Sequence, residues 1–343
     1  MSSGIPSARY LHGREAAFLW NRIRLTRSNP PSRARDYVQR RAVYTAALEQ
    51  FEQLMVAAGT VGAASRPLPL FYAIEQATRA ILAAHRYKPA RNPHGLHFDA
   101  DPTDVLSGQV RPDARGGLFQ ALAEALQSPG IDGPVSLRAL WASLPDLSGS
   151  PLPGPPSPLA LLAGFPAHTR IITWPRVSLV VCLMNQPVTS AADLESLLDH
   201  YPHAAGWLLP DGTRHGGLGH TEMQSGVTGV LLDWRIPNRE AGNKKVEQIA
   251  PSHRYFGERW IRPAVLSSKP PPPTPIVTWW ALLYGLSILC RYHPAAWTAA
   301  LAVDSSEVAV PSEDALEEGL AAVPHLVSEA LDRVPLLLRR DLI

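Results

Sequence analysis

The chain has 343 residues, 45% of them hydrophobic and 18% charged, with a formal net charge of +2. This is a globular composition, long enough for one large domain or two modest ones with a substantial core. Cys182 and Cys290 each lie in an apolar run without a Cys-x-x-Cys partner, which excludes a disulfide scaffold and fits a reducing cytoplasm.

Charge is unevenly placed. Met1 to Arg41 holds nine arginines against Glu15 and Asp36, whereas Asp304 to Ile343 holds nine acids against three arginines. The basic end is expected either to contact phosphates or to dock against the acidic C-terminal helices. It lacks the charged region, apolar stretch and cleavage site of a signal peptide, and a cytoplasmic location is expected.

The first 35 residues read as basic and irregular, with Phe18, Leu19, Trp20 and Ile23 anchoring a short helix. From Asp36 to Ala58, Tyr44, Ala47, Leu48, Phe51, Leu54 and Met55 form a helical stripe that Gly59 is placed to end. Arg66 to Tyr87 is the most strongly helical stretch. Pro67 and Pro69 mark its start, and Leu70, Ile74, Ala77, Ile81 and Ala84 form a narrow face of mostly small side chains that permits close packing. His85, Arg86 and Lys88 suit the negative end of a helix dipole.

NPHGLHFDADP, Asn92 to Pro102, is rich in turn formers and reads as a hydrogen-bonded loop, its histidines and aspartates lacking metal-ligand spacing. Short helices are expected in Gly117 to Gln127 and Leu137 to Leu144. Ser148 to Pro158 is a proline- and glycine-rich linker. Beyond it RIITW, VSLVVCLMN, GVTGVLLDWRI and ERWIRPAVL read as strands of a small sheet, with a helix at Ala191 to His200. His200, His203, His215, His220 and Glu222 flank a glycine-rich stretch without a Walker A or zincin pattern, read as a surface loop.

After the extended connector Lys269 to Pro275, helical segments are expected at Thr278 to Tyr292, Pro294 to Val303, Ser312 to Val323 and Pro324 to Leu338. The apolar run IVTWWALLYGLSILC falls short of the roughly 20 residues a membrane span needs and reads as a core helix. No membrane association is expected.

PLPLFYAIEQATRAILAAH, LYGLSILCRYHPAAW and VPSEDALEEGLAAVPHLVSEAL together resemble the YaaC-like protein family of bacteria, a similarity that extends to RRAVYTAALEQFEQLM and most of the chain. These blocks are shape signatures rather than catalytic motifs. The resemblance therefore implies a fold more than an activity.

The expected fold is α+β, mainly α-helical. Helical regions 1–147 and 276–343 pack as one body, and 159–268 forms a small central β-containing subdomain, joined through linkers 148–158 and 269–275. There is no nucleophile elbow, Ser-x-x-Lys, dinucleotide fingerprint or zinc motif, so neither metal nor cofactor is expected.

The preferred reading is a non-enzymatic cytoplasmic binding or scaffold protein. It would contact nucleic acid or a protein partner through Arg22, Arg24, Arg27, Arg40 and Arg41, with Arg291 and His293 as a second basic pair. The alternative is a HEPN-like, metal-independent ribonuclease acting as a homodimer, because Arg79 and His85 have the Arg-to-His spacing of such enzymes. His85 would move the proton of the ribose 2′-hydroxyl or leaving oxygen, and Arg79 would stabilise the phosphorane. Their separation puts them about 120° apart around a helix, so a bent helix end or a second subunit must bring them together. Glu75, one turn before Arg79, is its expected ion-pair partner.

Overall fold

A computed structural model describes residues 14–85, 94–101, 104–154, 157–167, 172–173, 176–183, 188–209, 218, 220–224, 226–248, 259–266 and 270–339. The N-terminal part begins with α1 (Arg14–Ser28), α2 (Arg33–Asp36), α3 (Val38–Thr60) and α4 (Pro67–His85). It continues through β1 (Leu96–Asp99), β2 (Gln109–Pro112), α5 (Leu118–Ala125), β3 (Val135–Ser136) and α6 (Leu137–Ala142). The central part holds β4 (Leu161–Gly164), β5 (Ile172–Thr173), β6 (Arg176–Val181), α7 (Ala191–Leu198), β7 (Trp207–Leu208), β8 (His220–Glu222), β9 (Thr228–Arg235), α8 (Arg239–Gln248) and β10 (Arg259–Ile261). The C-terminal part is α9 (Pro275–Tyr292), α10 (Pro294–Ala300) and α11 (Ala309–Arg339). Among the described residues the fold is thus mainly helical α+β, with two antiparallel sheets.

The chain divides into two compact units. One comprises Met1–Trp141, Gly149–Pro155 and Pro273–Ile343, the other Ala142–Ser148 and Pro156–Pro272. In the first, α4 is the central element and packs against α3, α5, α9 and α11. Ala73, Ala77, Ala80 and Ala84 lie on its buried surface and let neighbouring backbones approach closely. Arg66 ties three elements together. Its guanidinium donates to the Ala58 and Val61 carbonyls at the end of α3, and it pairs with Glu317 on α11.

In the second unit the strand order is β10-β4-β6-β9-β7, with β5 on β6 and β8 on β9. Alternation places Val177, Leu179 and Val181 of β6 opposite Trp234, Leu232 and Val230 of β9. These join Leu194 and Leu198 of α7 in one core. Ser190 begins α7 with a reciprocal capping box: its hydroxyl accepts from Asp193 N at 3.2 Å and its own N–H donates to Asp193 Oδ2 at 2.9 Å.

The helix expected around Phe18 to Ile23 is present as α1, with Leu19 and Ile23 buried and Phe18 exposed. Local readings needed correction in two places. Residues 96–99, read as loop, form β1, because Leu96 to Asp99 pair with Pro112 to Gln109 in a three-stranded sheet. The two helices expected across 312–338 are one, so Pro324 lies inside α11 rather than at a start and Ser312 within its first turn. Pro324 cannot supply the N–H for its turn, but Ala322, Val323, Leu326 and Val327 around it are all buried, and their packing holds the helix together. Much of RIITW and of the glycine-rich stretch, including His215, lies outside the described residues.

Ala77 is fully buried, whereas Val38 is 86% exposed. Ala77→Leu is therefore expected to destabilise the chain by about 1–3 kcal/mol through overpacking. Val38→Ala should stay within about 0.5 kcal/mol of the parent. Urea unfolding followed by circular dichroism measures both.

Candidate functional site

Tyr72, Glu75 and Arg79 lie at i, i+3 and i+7 on α4 and so share one stripe of its surface. Glu75 is only 4% exposed. Its Oε1 accepts from Arg79 Nη2 at 2.7 Å, and its Oε2 faces His94 Nδ1 at 3.3 Å. The His94 ring lies between Phe71 and Tyr284, with centroids 5.4 and 5.8 Å away. Tyr284, from α9, donates its hydroxyl to the Leu96 carbonyl at 2.8 Å.

Backbone geometry fixes His94. Its carbonyl accepts from Phe119 N at 3.1 Å, at the start of α5. The next residue, Gly95, has φ +84° and passes so close to Gly117 that a Cβ on Gly117 would stand 2.4 Å from Gly95 N. Neither position has room for a side chain.

Glu75 Oε2 and His94 Nδ1 are within ion-pair distance, and neither atom has a hydrogen-bond partner among the described residues. His94 keeps 29% side-chain exposure although Nδ1 is buried, so the opposite ring edge faces outward. Burial raises the Glu75 carboxyl, but the His94 and Arg79 contacts outweigh it and the net displacement is downward. Nearby, Arg115 holds Asp113 down at about 2, and Asp113 also lies 3.2 Å from His97 Nε2.

Arg291, in the last turn of α9, is in a different electrostatic situation. Its Nε donates to the Ser287 carbonyl at 3.3 Å and its Nη1 to the Tyr72 hydroxyl at 3.2 Å. The guanidinium lies 5.9 Å from the Tyr72 ring centroid and 5.1 Å from that of Tyr292. It has no carboxylate partner among the described residues. His293 is exposed and forms the junction between α9 and α10.

The other sequence-derived candidates separate. Arg22 pairs with Asp332, Arg24 with Glu52, and Arg27 with Glu49 at 3.0 Å and Glu52 at 3.8 Å. Arg40 donates to the Ala83 carbonyl at 3.1 Å and Arg41 to the Ser28 carbonyl at 3.2 Å. Like Arg291, Arg41 has no carboxylate partner among the described residues.

Arg79 and His85 have different neighbours. Arg79 is bound to Glu75, while His85 Nε2 lies 3.4 Å from the Ala330 carbonyl of α11. Burial moves the His85 imidazole downward, opposed by that carbonyl.

In the second unit His200 is exposed and His203 is lowered to about 4 by burial, then by Arg262 and Lys245. His220 and Glu222 lie on β8. No group of three or more His, Cys, Asp or Glu that could hold a metal occurs among the described residues. No helix among them is long and apolar enough to cross a membrane. His94 was not singled out by sequence reasoning. The available signal was Glu75, a lone carboxylate within a strongly apolar helical stretch, which requires a partner from elsewhere.

A family model described as YaaC-like protein matches residues 9–331. No curated protein and no solved structure gives a significant match.

Glu75 links this geometry to stability. Because its folded-state carboxyl is displaced downward, its contribution is present above the unfolded value of about 4.3 and is lost as pH falls through the lower folded value. Glu75→Gln should cost about 1–3 kcal/mol at neutral pH. The gap between variant and parent should narrow on acidification, as measured by urea unfolding across a pH series.

Proposed function

We propose a function from the premise that the chain belongs to the YaaC-like family, whose description names no activity. The protein acts as a non-enzymatic binding protein that contacts nucleic acid through arginines left uncompensated by its own carboxylates. The observation that carries this reading is the contrast between Arg24 and Arg291. Arg24 is matched to Glu52, whereas Arg291, among the described residues, bonds neutral oxygens beside Tyr72 and Tyr292. A guanidinium of the second kind retains its attraction for phosphate, and the first has largely satisfied it within the chain. Arg41 belongs with Arg291. The basic N-terminal surface is accordingly reduced to Arg41, with Arg22, Arg24 and Arg27 serving to join α1 to α3 and α11 and Arg40 bonded to the Ala83 carbonyl.

The ribonuclease alternative needs Arg79 and His85 at one phosphate, and their separate partners within this chain make a second subunit a requirement. Purified protein incubated with total RNA in EDTA separates the two readings. Under the binding reading the RNA stays intact with both the parent and His85→Ala. Cleavage by the parent that His85→Ala abolishes would establish the nuclease instead.

Binding itself is measured by fluorescence anisotropy with labelled RNA over a salt series. Affinity should fall as salt rises, and Arg41→Gln or Arg291→Gln should each reduce the salt slope by about 1. Arg24→Gln should leave the slope unchanged. Equal effects of all three variants would sink the assignment.

A further inference from the structure

We infer that Arg291, Tyr292 and Tyr72 form a stacking clamp that selects unpaired bases, so that the ligand is single-stranded nucleic acid. This inference rests on the nucleic-acid reading and narrows it. α9 is buried for most of its length, yet its last residue, Tyr292, is 67% exposed. The helix stops there because His293 leaves helical geometry, with φ −128° and ψ 46°, and Pro294 opens α10. The corner is held from below. Trp297 of α10 is buried and donates Nε1–H to the Ala64 carbonyl at 3.1 Å, and His293 N donates to the Leu289 carbonyl at 2.9 Å. Tyr292 is therefore displayed from a supported backbone.

Arg291 lies against the Tyr292 ring and is itself tethered through Tyr72. A phenol ring with a guanidinium beside it and most of its surface open matches the face of a nucleobase, while the remaining guanidinium donors suit the adjoining phosphate. Duplex bases are already stacked on one another and offer only their phosphates to such a corner. Unpaired bases can stack on the ring. A purely structural Arg291, serving the C-terminal dipole of α9, would need nothing from Tyr292.

The test uses the full chain with a fluorescent oligothymidylate and a labelled blunt-ended duplex of matched charge, at one salt concentration. The parent should bind the single strand more tightly than the duplex. Tyr292→Ala should weaken single-strand binding about tenfold and leave duplex binding unchanged. Tyr292→Phe keeps the ring and should restore the preference, which separates loss of stacking from loss of fold. Arg291→Gln should weaken both ligands. If both are bound equally well, or if Tyr292→Ala behaves as the parent, the clamp is overturned and the general nucleic-acid reading stands. If neither ligand binds, both fall together.

Discussion

A carboxylate inside a helical core needs a substitute for water, and Glu75 obtains it from two directions. Thirteen of the nineteen residues of α4 are buried, so an unpaired charge there would be strongly unfavourable. Arg79 reaches back one turn along the same helix, and His94 arrives from the segment before β1. The second contact determines more. It requires the chain to return to α4 at His94, which places β1 beside α9 and brings Gly95 across Gly117 at a separation that only glycines tolerate. Phe71 and Tyr284 then enclose the imidazole, so the polar pair and the aromatic core are parts of one packing solution.

The arginines follow a related logic at the surface. Arg22, Arg24, Arg27 and Arg66 find carboxylates on α3 or α11, and solvent screens the more exposed of these pairs, so they neutralise a local field more than they stabilise the fold. Arg41 and Arg291 find carbonyls or a phenol. Composition counts all of these residues alike. Their partners differ, and that sorting is what the proposed binding role at the end of α9 rests on.

Much of the fold is legible locally. The stripes of α3 and α4, the long apolar run of α9 and the alternation of β6 and β9 all survive because each is repeated over several residues on one element. The readings that fail are those where a local signal meets a stronger distant one. LHFD is short and flanked by turn formers, yet pairing with QVRP makes it a strand. Pro324 marks a helix start by local rules and costs about 3 kcal/mol inside one, but the apolar contacts before and after it outweigh that. The candidate site is legible to the same degree. Arg79 and Glu75 are found by their spacing, because an i,i+4 pair belongs to a single helix. His94 is not, because nothing in its own neighbourhood refers to α4.

By itself, then, the sequence determined the helical body, the central strands, the family resemblance and the pairing of Glu75 with Arg79. Periodicity and spacing act within a turn or two of one element, and those features need no more. Only the tertiary structure decided that His94 answers Glu75, that His85 turns to α11 while Arg79 does not, and that Arg291 bonds a carbonyl and a phenol where Arg24 bonds a carboxylate. Each of those outcomes depends on which groups from distant parts of the chain come within a few ångströms, and burial of the apolar faces sets that proximity before any charge is satisfied.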